Sequence, residues 1–175
     1  MTCIVHHQRV LYADDLFIIP EDKYRKYSGR KVFISRDKRF AYGVSGEEMI
    51  GKRRAFLERT IRHYLDAMYL TTISLDKVYQ QMYKRLREQG IDDFPSMLWM
   101  THDRAWKITA DDQFEVTHVT AAVGTGSHYA LGRLATGIDP LKAMQGVHEL
   151  DHLTGKDITA IKAEDLKPFF TEEIK

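Results

Sequence analysis

The sequence predicts an α+β layer fold, two sheets with helices outside them, on three observations. Short apolar runs separated by polar breaks fill residues 3–46. Apolar residues then recur at three- and four-residue spacings over 47–70 and again over 75–86, before strand-like runs return from 97. Two more helical stretches follow, so strand runs and helix runs segregate along the chain.

In order, the runs at 3–5, 10–13 and 17–19 read as strands. Ser28-Gly29 is a turn, and the runs at 31–35 and 40–46 flank the charged turn 36–38 as an antiparallel hairpin would. Ile50, Leu57, Ile61, Tyr64, Leu65 and Met68 make one face of a first helix. Ser74 is placed to cap a second, which carries Leu75, Val78, Tyr79, Met82 and Leu86 and is closed by Gly90. Strands follow at 97–101, 105–109 and 114–123, the last two separated by a turn at Asp111-Asp112. Gly124-Thr125-Gly126-Ser127 opens a helix running to Leu134, and Asp139-Pro140 caps and starts another. Gly155 follows that helix, and 158–161 is the final strand.

A chain of 175 residues suits one domain, here 1–175, with a buried core. Its formal net charge of +1 gives no field that would gather nucleic acid or an anionic membrane. The basic run Lys52-Arg53-Arg54 reads as a solvated helix face. The single cysteine, Cys3, excludes an intramolecular disulfide and a cysteine-built metal cage, and points to the cytoplasm. No apolar run reaches the roughly 18 residues that span a bilayer, and the N-terminus lacks the basic-then-apolar pattern of a secretory signal.

Several motifs then stand in a telling order: Thr2-Cys3-Ile4-Val5, Val10-Leu11-Tyr12-Ala13-Asp14-Asp15, Lys31-Val32, Gly124-Thr125-Gly126-Ser127-His128-Tyr129-Ala130 and Asp151-His152-Leu153-Thr154-Gly155. Together they resemble the proteasome β-subunit family of threonine-type N-terminal-nucleophile hydrolases, across residues 2–161. The length is similar to the short bacterial members that pair with an unfoldase ATPase. The resemblance implies the four-layer αββα sandwich of N-terminal-nucleophile (Ntn) hydrolases, two stacked antiparallel sheets between helical layers. It also implies a site: Thr2 as nucleophile, Asp15 as the acid near it, Lys31 as the lysine beside it, and Gly43 as the oxyanion-hole glycine. Ser127, Asp151 and Thr154 complete the set; Thr154 stands where the family usually has serine and keeps a hydroxyl. No metal or organic cofactor is implied.

Those residue types suit that chemistry. A threonine hydroxyl is a weak nucleophile and needs a base within hydrogen-bond reach. A free α-amine, titrating at about 7.7–8.0, can serve. Lys31 would depress that amine's pKa by like-charge repulsion, and Asp15 would keep Lys31 charged and oriented. Ser127, Asp151 and Thr154 would orient the amine, as an acid orients the base of a serine triad. The Gly43 N–H would stabilise the tetrahedral oxyanion. Met1 must be removed first, because with Met1 attached the Thr2 nitrogen is an amide. Each residue also has a plainer reading: Asp15 as a turn acid, Lys31 as a solvated strand start, Ser127 as a helix N-cap, Gly43 as a point of close packing.

A rival motif is present. His148-Glu149-Leu150-Asp151-His152 reads literally as the H-E-x-x-H of zinc peptidases, with Glu172 beyond it as a third ligand. At about 100° per residue, Asp151 falls inside the apolar arc of that helix, His148 and His152 on its rim, and Glu149 outside it. A buried acid suits the threonine mechanism, whereas zinc would need the histidines and Glu149 turned inward. His6 and His7, adjacent on a strand, point to opposite faces. Gly124-Thr125-Gly126 lacks the Gly-Lys-Ser/Thr ending of a phosphate loop.

The resemblance implies a peptidase acting on peptides or unfolded proteins inside a homo-oligomer, ring or spiral, with an unfoldase ATPase as partner. Phe56, Met68, Tyr69, Tyr79 and Tyr83 supply apolar surface beside the core stripes, suited to subunit contacts. A second class of reading is a catalytically silent member that retains Met1 and keeps the fold for assembly or binding. The third is zinc hydrolysis.

Overall fold

In the computed structural model of the protein, the residues described are 2–19, 25–35, 37–46, 56, 59–60, 63–64, 75–91, 95–109, 113–152 and 154–168. Their strands are β1 (Ile4–His7), β2 (Val10–Asp14), β3 (Leu16–Ile19), β4 (Arg25–Ser28), β5 (Val32–Ile34), β6 (Phe40–Ser45), β7 (Ser96–Thr101), β8 (Ala105–Ile108), β9 (Gln113–Glu115), β10 (Ala121–Val123) and β11 (Ile158–Lys162). Their helices are α1 (Leu75–Arg87), α2 (Ser127–Ala135) and α3 (Pro140–Leu150). The chain divides into two compact units, Met1–Ser45 with Ser96–Lys175, and Gly46–Pro95.

In the first unit an antiparallel sheet runs in the order β10-β1-β2-β11 and a second in the order β5-β6-β7-β8-β9, with β3 and β4 as a separate hairpin. β1 and β2 are joined by Gln8 and Arg9, both at positive φ (47° and 65°). That is the two-residue turn whose twist matches the strands it connects. Alternation along β1 and β2 then sorts the core. Ile4, Leu11 and Ala13 pack with Val32, Ala41, Leu98 and Met100 of the five-stranded sheet. Cys3, Val5 and Ala122 pack on the other face against Ala130 and Leu134 of α2 and Ala143, Met144 and Val147 of α3. Helices, four-stranded sheet and five-stranded sheet therefore stack in that order. This is the α+β layered fold that the sequence predicts.

The hairpin predicted at 31–46 is β5–β6, with Val32 opposite Gly43. Asp139 caps α3 as expected, its Oδ1 accepting the Lys142 N–H at 3.1 Å, with Pro140 at the first helical position. Two expectations need correcting, and one strand went unread. The single strand expected at 114–123 is two: β9 pairs with β8 in one sheet and β10 with β1 in the other. A turn at Val116, closed by the Val119 N–H on its carbonyl at 3.2 Å, carries the chain across. Strand β4 was hidden by its sequence, Arg-Lys-Tyr-Ser, which has little strand propensity and is held by pairing with β3. The helix after Asp139 stops at Leu150, short of the His148–His152 motif's end.

In the second unit α1 ends as its Gly90 predicts. Gly90 has φ 71°, its N–H donates to the Arg87 carbonyl, and the Ile91 N–H reaches back to the Leu86 carbonyl at 3.1 Å. This is the Schellman closure, with Leu86 and Ile91 both buried. Phe56, Arg59, Thr60, His63 and Tyr64 are helical, within the stretch 47–70 read as the first helix. Ser74, Met68, Tyr69, the Tyr79 side chain, the turn at Asp111-Asp112 and Glu172 lie outside the described residues. Among the described residues no helix is long and apolar enough to cross a membrane.

Candidate active site

Strand β2 ends on Asp14, whose N–H donates to the Cys3 carbonyl at 3.1 Å and whose Oδ1 accepts the Cys3 N–H at 2.6 Å. Its Oδ2 accepts from Lys31 Nζ at 2.7 Å, from the Gly155 N–H at 2.8 Å and from the Leu16 N–H at 3.3 Å. One carboxylate thus fixes the residue after Thr2, the lysine at the head of β5 and the loop after α3. Asp14 and Lys31 are both buried, 1% and 0% exposed. Charges survive at such depth only when paired and hydrogen-bonded, as these are. Burial holds the Lys31 ammonium below the ordinary lysine pKa, while the charge of Asp14 and its hydrogen bond pull in the opposite direction.

The acid expected beside Lys31 is Asp15; the acid in contact is Asp14. Asp15 is half-buried, acts on Lys31 only as the weakest of its charge neighbours, and lies against Gly155, where a Cβ would overlap its Oδ1. Two adjacent aspartates at a strand end look alike in sequence, and a one-residue difference in where the strand stops sends the side chain the other way. The pairing of Asp14 with Ile158 of β11 sets that register.

Thr2 is buried, 4% exposed. Its carbonyl accepts the Gly126 N–H at 3.4 Å and packs against Gly124, where any Cβ would overlap it. Gly124 also has φ 98°, so both space and backbone require glycine there. Continuing the alternation of β1 puts the Thr2 side chain on the Ile4 side, toward the five-stranded sheet. The neighbouring Cys3 is not a competing nucleophile: burial, with Asp14 next in effect, pushes its thiol up to about 12.

The remaining expected residues gather around Gly126, where a Cβ would come within 2.9 Å of Thr154 Cγ2 and 3.0 Å of Cys3 Cβ. Thr154 is fully buried and its hydroxyl donates to the Asp151 carbonyl at 2.9 Å. Asp151 is buried, as the helical rotation predicts, but as the C-cap of α3, with its N–H on the Val147 carbonyl at 2.8 Å. Ser127 is half-buried and is the first residue of α2. Its plainer reading as an N-cap fails, because the cap is Gly126 and no side chain caps the helix.

Gly43 does not match its expected role. It sits inside β6, opposite Val32 on one edge and Leu98 on the other. A strand paired on both edges commits its N–H groups to the ladder, so this one is not offered to an oxyanion. Its Cβ position lies 2.7 Å from Ile4 Cγ2 and 3.1 Å from Val32 Cγ1, so the glycine leaves room for the Ile4 side chain of the other sheet. The H-E-x-x-H reading loses its geometry as well. His148 is on α3 with Nδ1 bonded to the Thr154 carbonyl, whereas His152 is exposed on the turn beyond the helix. The i, i+4 helical face that the zinc motif needs is absent.

No protein-family model and no curated protein matches the chain. Solved structures do. The eukaryotic HslV of Trypanosoma brucei matches with a TM-score of 0.64 at 15% identity, over 92% of this chain and 98% of that one. Thiobacillus denitrificans BPH matches with 0.64 at 14% identity, over 98% and 99%, and its complex with epoxomicin with 0.61 at 15%, over 95% and 99%. Likeness at such low identity shows the fold. The chain has the proteasome β-subunit-like fold of Ntn hydrolases, as its sequence motifs imply. More narrowly, its architecture is HslV-like over nearly its whole length.

Proposed function

We propose that this chain is a threonine-type peptidase subunit that hydrolyses peptide bonds through an acyl-enzyme on Thr2 once Met1 is removed. The observation that carries the reading is the Asp14 carboxylate, bonded at once to Lys31 Nζ and to the backbone N–H of the residue after Thr2. The Thr2 hydroxyl attacks the scissile carbonyl, and its proton passes to the free α-amine and on to the leaving amine. Water then cleaves the ester by the same base. Lys31, anchored by Asp14, keeps the amine's pKa low by like-charge repulsion. Ser127, Asp151 and Thr154 hold the amine end in place, and Asp15 adds negative charge near Lys31.

The test is labelling with a peptide epoxyketone, which needs both the hydroxyl and a free amine. Protein with Met1 removed is expected to react and protein retaining Met1 to stay unlabelled; equal labelling of the two forms would sink the mechanism. Protein that keeps Met1 in the cell and never reacts would favour the silent assembly reading.

The same reading includes a cytoplasmic homo-oligomer, ring or spiral, that encloses the sites and receives unfolded substrate from an ATPase. Its support is the HslV-like fold over 92% of the chain. Light scattering at micromolar concentration checks it: a mass near the 20.4 kDa of one chain removes the chamber.

A further inference from the structure

We infer that a cavity between α2, α3 and the segment leading into β11 binds a small oxyanion of the phosphate or carboxylate type, away from Thr2. The cavity holds about 520 Å³ and is lined by Arg133, Lys142, His148, Glu149, Lys156 and Asp157, with Gln145 and Gly146. Three cations therefore face two carboxylates, and no ion pair joins them among the described residues.

The arginine is the decisive group. Arg133 is half-buried, and its Nε is sealed from solvent without a hydrogen-bond partner among the described residues. A buried guanidinium N–H left unsatisfied is costly, and an arginine's planar fork suits a carboxylate or phosphate. Gly146 gives the second, independent observation. It lies inside α3, where glycine is unfavourable, and is buried against the Arg133 guanidinium, which a Cβ would overlap. The glycine lets the guanidinium lie flat on the helix and keeps it at the cavity. His148, on the same helix as Gly146, is anchored through its Nδ1 to the carbonyl of buried Thr154. The glycine thus leaves room for the guanidinium on the cavity wall. Lys142 and Lys156 at the rim add attraction that salt would screen.

Calorimetric titration of the full chain at low ionic strength, with inorganic phosphate in one series and acetate in another, tests the site. Saturable binding of at least one anion at one per chain is expected, weakening at least tenfold in Arg133→Gln. Which anion binds distinguishes a phosphate source from a carboxylate source. Gly146→Ala is the control against a merely structural role. It needs only the flexible end of Arg133 to move, so it should keep or raise the melting temperature while weakening binding at least tenfold. Glu149→Gln should tighten binding. No saturable binding of either anion, or binding unchanged in both Arg133→Gln and Gly146→Ala, overturns the site.

Discussion

Asp14 Oδ2 and Lys31 Nζ stand 2.7 Å apart with almost no exposure, and the pair bridges the end of a strand in one sheet to the head of a strand in the other. The same carboxylate holds Cys3 and Gly155. Removing either member leaves an uncompensated buried charge, so this pair is where stability and the proposed chemistry are most tightly joined.

The first expectation separates the two adjacent acids. Asp14→Asn should lower epoxyketone labelling and peptide hydrolysis by about a hundredfold or more, the scale of losing an oriented proton-transfer group. Asp15→Asn should stay within about tenfold, because at Lys31 the charge and hydrogen bond of Asp14 outweigh the charge of Asp15. Rates measured side by side decide it, and the reverse ranking would return the role to Asp15.

Lys31→Met should abolish hydrolysis and cost about 3–5 kcal/mol in urea unfolding, since it strands Asp14 in the interior. Adding Asp14→Asn should recover part of that stability without restoring activity. A double-mutant cycle with a coupling near zero would show that the two residues do not interact as their geometry implies.

Glycine substitutions should rank by what a Cβ would meet. Gly124→Ala combines a φ of 98° with overlap of the Thr2 carbonyl, and should be the most harmful to both stability and labelling. Gly43→Ala should cost about 1–3 kcal/mol by overpacking the Ile4–Val32 contact. Gly90→Ala has open space and meets only the backbone strain of φ 71°, about 1 kcal/mol. Chemical denaturation of the three variants tests the order.

Stability should fall in mild acid through His6. This histidine is 1% exposed, and burial holds its pKa below 6.5, against the opposing pull of its contact with the Val119 carbonyl. A depressed histidine pKa means that the unfolded chain takes up the proton first. Stability is therefore full above about 6.5 and declines as pH falls toward the folded-state pKa, by at most about 1.4 kcal/mol per pH unit. His6→Asn should flatten that slope in thermal melts at pH 5 to 7; an unchanged slope would assign it to other groups.

The α+β class, most strands, the closure of α1 at Gly90 and the capping of α3 at Asp139-Pro140 were legible in the sequence, because local spacing and terminal residues dictate them. Thr2, Lys31, Ser127, Asp151 and Thr154 came forward as candidates only through a resemblance in the order of their motifs, and their roles are the proposal made above. The tertiary structure decided what local pattern cannot carry. Pairing with β11 chose Asp14 over Asp15, and central placement in β6 gave the Gly43 N–H to the ladder. The turn at Val116 divided one apolar run between two sheets, and the end of α3 at Leu150 separated the histidines of an apparent zinc motif. Sequence fixes which residues can form a strand or helix. Where an element stops, and which neighbour takes each N–H and each side chain, depends on partners distant along the chain.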